Sequence, residues 1–207
     1  MRFARIWFTA VKMTARSQTE PLFFDTDCLS AFLWVDNESI LAKLYPRRIV
    51  IPGQVYAELS HPGLNHIKAL RAQADALVQS GQAVVRSIIT GTGTYALYYK
   101  LTQNPDAGRK IIGGGEAAAI AMAKDYGGIV ASNNLRDILD YIREYDLKHV
   151  TTGDIMKSAM DSGIIDEAQG NAIWQNMLKR KRRLGYQSFS KYLEANEQGL
   201  EREQSRR

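Results

Sequence analysis

The sequence predicts an α/β fold with a parallel sheet. Short apolar runs, Leu22–Phe24, Arg48–Ile51, Ala83–Ile89 and Ile129–Ala131, alternate with stretches of helical apolar spacing. Two of these runs pass directly into polar residues: Leu22–Phe24 into Asp25, and Ile129–Ala131 into Ser132, Asn133 and Asn134. Ligands of open parallel sheets sit outside the carboxyl ends of the strands, so these are the positions where such a fold does chemistry. A chain of 207 residues, 45% of them hydrophobic, suits one domain with a sizeable core.

Taken in order, Met1–Thr19 shows no clear period and reads as a flexible arm, or as an overextended reading frame with Met13 as the true start. Leu22–Phe24 is the first strand. Asp25, Thr26 and Asp27 then lead into a helix with Leu29, Phe32 and Leu33 on one face; the plainer alternative is that one of the two acids merely caps it, a reading as good as any other for Asp27 and the weaker one for Asp25. A short helix, Ser39–Tyr45, stops at Pro46. Arg48–Ile51 is a strand ended by Pro52 and Gly53, which open a helix with Val55, Tyr56 and Leu59 inward and Glu58 near its end. His61-Pro62-Gly63 breaks the chain. Asn65–Ser80 carries Ile67, Leu70, Ala74, Leu77 and Val78 on one face, and Gly81 caps it.

Ala83–Ile89 is the next strand, and Thr94–Thr102 the next helix. At helical spacing Tyr95, Tyr98 and Tyr99 read as partly buried packing residues rather than as a base-stacking platform. Ile112–Ala123 places three glycines before a helix of small residues, with Glu116 in the first turn, where the helix dipole favours an anion. No Lys-Ser/Thr follows the glycines, which excludes a Walker loop. After the Ile129–Ala131 strand, Leu135–Tyr145 is helical, and Asp137 reads first as its N-terminal acid. His149–Thr151 is a last strand. Helices Thr152–Ser162 and Asp166–Lys181 follow, the second with Ala168, Ala172, Ile173, Trp174 and Met177 inward. Beyond Lys179–Arg183 and a helical piece over Phe189–Leu193, the polar residues from Glu194 onward read as frayed or disordered.

One cysteine excludes an internal disulfide and a multi-cysteine metal site, and His61, His66 and His149 lack zinc-ligand spacing. No apolar run approaches the length of a membrane span, and the short apolar stretch Ile6–Val11 makes a poor secretory signal. The chain reads as a soluble bacterial-type cytoplasmic protein. Residues 1–20 carry net charge +3, residues 21–178 net −3 and residues 179–207 net +5. A mildly acidic body with basic ends fits an acidic site flanked by phosphate-attracting segments, Lys179, Arg180, Lys181, Arg182 and Arg183 foremost.

Asp25, Glu58 and Glu116 each lie near a strand end or at the start of a helix. If these ends converge, each close pair of carboxylates repels by roughly 1–4 kcal/mol at ~4 Å. Raised pKa values or a divalent cation relieve that repulsion, and an all-oxygen site suits Mg²⁺ or Mn²⁺. In order and spacing, FFDTDCLSAF, VYAEL, GGGEAAAIAMA and IVASNNLRDI resemble the motifs of PIN-domain nucleases over roughly residues 22–150. The resemblance implies a three-layer α/β/α sandwich with a central parallel sheet, and Mg²⁺- or Mn²⁺-dependent endoribonuclease activity. It makes Asp25, Glu58 and Glu116 metal ligands, or residues that orient the attacking water. Many members are toxins of toxin–antitoxin pairs, so RNA, an antitoxin protein and a second copy of the chain are the partners it brings into view.

The fourth motif departs from the family pattern. Asn133-Asn134 stands where most members carry an acid, with Asn134 the better candidate for that position and Asp137 a nearby substitute. An amide offers a metal an oxygen without charge. Two readings follow: a metal-dependent ribonuclease, or a catalytically weakened PIN-like module that binds nucleic acid or protein. The expected organisation is a basic arm over residues 1–20, a PIN-like domain over 21–151, a helical extension over 152–193 and a charged tail over 194–207.

Overall fold

The computed structural model describes residues 19–59 and 65–204. The basic arm, apart from Thr19 and Glu20, and the His61-Pro62-Gly63 break lie outside the described residues. The strands are β1 (Leu22–Phe24), β2 (Ile49–Pro52), β3 (Ala83–Arg86), β4 (Ile129–Ala131) and β5 (Lys148–Val150). The helices are α1 (Thr26–Leu33), α2 (Glu38–Leu44), α3 (Gly53–Glu58), α4 (Asn65–Gln79), α5 (Gly93–Gln103), α6 (Gly114–Tyr126), α7 (Leu135–Glu144), α8 (Thr152–Asp161), α9 (Glu167–Lys179) and α10 (Phe189–Gln204).

The five strands pair in the order β3-β2-β1-β4-β5, all parallel. Strands of three or four residues make few ladder bonds, so burial on both faces must hold the inner strands β1, β2 and β4. Alternation along each strand divides the core accordingly. Leu22, Phe24, Ile49, Ile51, Ile129 and Ala131 face one layer, built from α1–α4 and α8–α10. Phe23, Val50 and Val130 face the other, built from α5–α7. The result is a three-layer α/β/α sandwich, as the motifs implied. Each fully buried Leu or Phe contributes about 1.5–3 kcal/mol, enough to offset the shortness of the ladders.

The chain winds outward from β1 through β2 to β3 and then returns to β4 on β1's other side. This reversal makes the carboxyl ends of β1 and β4 the topological switch point of the sheet, the crevice in which open α/β folds hold ligands. Asp25 follows β1 there, and Ser132 follows β4. Helices α3 and α6 start on the same edge, because a crossover helix runs antiparallel to the strands it joins.

The helices after β5 share the core of the first layer: Ile155, Met156, Trp174, Met177, Phe189 and Tyr192 are buried in it. Three features differ from the sequence reading. Strand β3 stops at Arg86 instead of Ile89, because its partner β2 ends at Pro52, opposite Arg86, and offers nothing further to pair with. Ala168 and Ala172 are exposed, and Gly170 joins Trp174 and Met177 as a buried position on α9, lying under the Phe189 ring. The segment expected to be disordered from Glu194 is helical to Gln204. Phe189 and Tyr192 pack tilted against Trp174 and anchor the first turn of α10, after which each added residue costs little.

A Cβ placed on Gly170 would lie 2.4 Å from the Phe189 ring. Gly170→Ala gains about 1 kcal/mol in helix propensity but loses about 1–3 kcal/mol to overpacking. Thermal unfolding should show a Tm lowered by a few degrees. A raised Tm would contradict this docking of α10.

Candidate active site

Asp25 caps α1, and its Oδ1 accepts the Cys28 N–H at 2.6 Å. The residue is 1% exposed, and its Oδ2 has no hydrogen-bond partner among the described residues. Burial pushes the carboxyl up to about 7; the Ser132 hydroxyl and the Cys28 N–H oppose the rise, and the charges of Asp27 and Glu116 add to it. Asp25 therefore meets Ser132 from the neighbouring strand end and the field of Glu116 from α6.

Glu116 sits in the first turn of α6 and folds back on the helix start, where its Oε2 accepts the Gly113 N–H at 2.9 Å. A Cβ on Gly113 would stand 2.7 Å from that carboxylate oxygen. Gly115 serves another contact: a Cβ there would lie 2.8 Å from Thr26 Oγ1 and 3.2 Å from Val55. The glycine run thus lets α6 begin against α1 and α3, which brings Glu116 to the switch point.

Asn134 completes this side. Its amide nitrogen donates to Glu116 Oε1 at 2.7 Å and to Asp137 Oδ2 at 2.9 Å. Both amide hydrogens are spent on carboxylates. The amide's hydrogen bond, chiefly, with the charges of Arg136 and Lys110, holds Asp137 below the usual carboxylate range. Asn133 points elsewhere: its side chain donates to Thr152 Oγ1 and accepts the Thr152 N–H, each at 2.9 Å, tying β4 to α8. Of the two adjacent asparagines, Asn134 is the one at the acids.

Glu58, exposed at the end of α3, accepts a hydrogen bond from the Thr26 hydroxyl. Glu58 Oε1 lies 3.7 Å from where a Cβ on Gly114 would stand, and the Tyr98 hydroxyl lies 3.5 Å from the same point. Thr26 and Tyr98 thus join the site, and sequence reasoning assigned neither to it. The signal for Thr26 was its place between Asp25 and Asp27. Tyr98 packs on the second core layer as expected, whereas Tyr99 is 50% exposed.

The basic segment leaves α9 and returns along α1. Arg182 Nη1 lies 3.4 Å from both Asp27 Oδ1 and Ser30 Oγ, and the Arg180 and Arg182 guanidinium groups stand 5.7 and 5.8 Å from the Trp34 ring centroid. Lys179, Lys181 and Arg183 are exposed.

The donor set is all oxygen. Among the described residues no three His, Cys, Asp or Glu side chains form a group that could by itself hold a metal ion. Mg²⁺ needs only one or two carboxylates, keeping waters and substrate phosphate as its other ligands. Asp25 Oδ2, buried and without a partner among the described residues, would supply one such carboxylate, and Glu116 in the first turn of α6 is the candidate for a second.

A family model described as a PIN domain matches residues 22–198. No curated protein and no solved structure gives a significant match. Among the described residues no helix is long and apolar enough to cross a membrane. The matched span begins at β1 and ends within α10, taking in all five strands, both helical layers and every acid of the switch point, so the chain belongs to the PIN-domain family, a nuclease-type fold whose members generally depend on divalent metal.

Proposed function

We propose that the chain is a Mg²⁺- or Mn²⁺-dependent endoribonuclease whose chemistry centres on Asp25. The observation that supports it most is the buried Asp25 carboxyl at the switch point, with one oxygen unpartnered and its pKa pushed up to about 7. Burial without an ion favours the neutral form of such a group, and the cap on α1 uses only Oδ1, leaving Oδ2 without a partner among the described residues. Asp25 and Glu116 are the residues that would hold the ion, with Asn134 and Asp137 next to them. When bound, a divalent cation neutralises charge on the phosphodiester. Glu58, fixed by Thr26, orients the attacking water and takes its proton as the water oxygen bonds to phosphorus and the ester P–O bond breaks. The leaving oxygen is protonated from solvent.

One observation favours a second reading, a PIN-fold binding module with weakened catalysis. The Asn134 amide donates a hydrogen bond to each of Glu116 and Asp137 and so holds the two carboxylates together, a task an ion would otherwise perform. Cleavage of a fluorescent RNA across a Mn²⁺ titration separates the two. Asn134→Asp adds a charge worth roughly 1–4 kcal/mol to a cation at ~4 Å, so the Mn²⁺ concentration for half-activity should fall about 10-fold or more. Glu116→Gln should abolish cleavage. If wild type and Asn134→Asp are equally inert while Glu116→Gln still binds RNA, the binding module is the better description.

The Asp25 carboxyl also sets a pH dependence. Below about pH 4 it is protonated in the folded and unfolded chain alike. Between about 4 and 7 only the folded chain keeps the proton, so stability from this group is lost as pH rises, and the loss is complete above 7. A shift of this size corresponds to roughly 4 kcal/mol. Asp25→Asn should therefore raise Tm by about 8–16 °C at pH 8 and by much less at pH 5. Mn²⁺ should stabilise wild type more at pH 8, where no proton competes for Asp25. Equal Tm values for wild type and Asp25→Asn at pH 8 would show that the carboxyl is not buried as described.

A further inference from the structure

Five helices end in one kind of turn among the described residues. In each, a residue of positive φ bonds its N–H to the carbonyl three residues back, and the next N–H bonds to the carbonyl five residues back. The positive-φ residues are Asp36, Gly81, Asp146, Gly163 and Lys181. Glycine occupies this position without steric cost, and aspartate tolerates it. Lysine at φ 60° does neither. A strained residue persists only where its surroundings over-determine it, and such residues concentrate at functional positions.

A second, independent observation shows what the strain positions. The turn sets Arg182 against Asp27, two residues beyond Asp25 in the first turn of α1, and against Ser30 in the next turn, and lays Arg180 and Arg182 together on Trp34 at the other end of that helix. These contacts and the bond to the Arg180 carbonyl engage Nε and Nη1 of Arg182, which among the described residues leaves the Nη2 donors to a ligand. A guanidinium fork fixed on an aromatic ring matches the geometry of a phosphate. Lys181, exposed at the apex between the two arginines, adds a third cation to one rigid edge. A glycine there would relax the backbone and remove that charge.

We infer that the Arg180-Lys181-Arg182 turn is a preorganised phosphate-binding ridge that seats the RNA backbone along α1 beside the Asp25 carboxyl, and that Lys181 is kept in a strained conformation for its charge. The inference rests on the ribonuclease reading. Arg182 and Lys181 act as positioning residues: they hold the phosphates flanking the cleaved bond.

The test uses the full chain carrying Glu116→Gln, in chelator, so that binding is read without cleavage. Fluorescence anisotropy of a labelled RNA oligonucleotide is measured against salt concentration, and Tm is measured in parallel. Adding Lys181→Gly should raise Tm by about 2–4 °C as strain is relieved. The same change should weaken RNA binding about 10-fold and reduce the log–log salt slope by about 0.7, the loss of one phosphate contact on a single strand. Arg182→Gln should give the same loss of affinity and slope. A Lys181→Gly protein with raised Tm and undiminished affinity would overturn the inference, leaving the turn purely structural. RNA binding by the parent with both variants unchanged would overturn it too, and is the result expected of a ridge that docks an acidic protein instead. A parent that binds no RNA would overturn the ribonuclease reading and this inference with it.

Discussion

The carboxyl group of Asp25 is the constraint around which the fold is arranged. It ends the central strand, it is 1% exposed, and it caps the helix that follows. Moving a lone carboxylate into such surroundings is costly, and proteins answer by neutralising it or pairing it with a cation. Its Oδ1 is committed to the Cys28 N–H, whereas Oδ2 has no hydrogen-bond partner among the described residues. Beneath it, the Thr152 hydroxyl joins Asn133 to the Cys28 sulfur, so α1, β4 and α8 meet under the site in one hydrogen-bonded set. Displacing Asp25 would disturb all three elements.

Around that group the second problem is like-charge repulsion, and the protein distributes its remedies. Glu116 leans on a backbone N–H at the start of its helix, and Glu58 on the Thr26 hydroxyl. Asn134 spans Glu116 and Asp137 with one amide. An acid in place of Asn134 would set a third charge between those two and make the site depend on a cation. The amide lets the acids stay close without one, and the same substitution lowers the pull on an incoming ion. Stability in the absence of metal and affinity for metal are opposed at this residue.

The sequence revealed the parts of this arrangement that follow from local pattern. Asp25 was legible because an apolar run ends at it, and Glu116 because three glycines precede it at a helix start. The parallel sheet followed from alternating strands and helices. What escaped depended on contacts distant in sequence. The Thr26–Glu58 hydrogen bond joins residues 32 apart, and the Arg182–Asp27 pair joins residues 155 apart. Ala168 and Ala172 were read inward because small apolar residues suit a core, but the Phe189 ring needs a residue with no side chain beneath it, and Gly170 meets that need. The helix beyond Glu194 escaped because its sequence is polar; its stability comes from Phe189 and Tyr192 at its first turns. The strained backbone of Lys181 has no signature in sequence, since glycine is what its position would suggest.

That Asp25 and Glu116 hold a divalent cation is tested most directly by anomalous diffraction at the manganese edge, from crystals grown above pH 7 with Mn²⁺. An anomalous peak should lie about 2.1–2.6 Å from Asp25 Oδ2 and from one Glu116 carboxylate oxygen. Saturating Mn²⁺ with no peak at Asp25, and with Glu116 still bonded to Asn134, would contradict a metal-dependent role for the site.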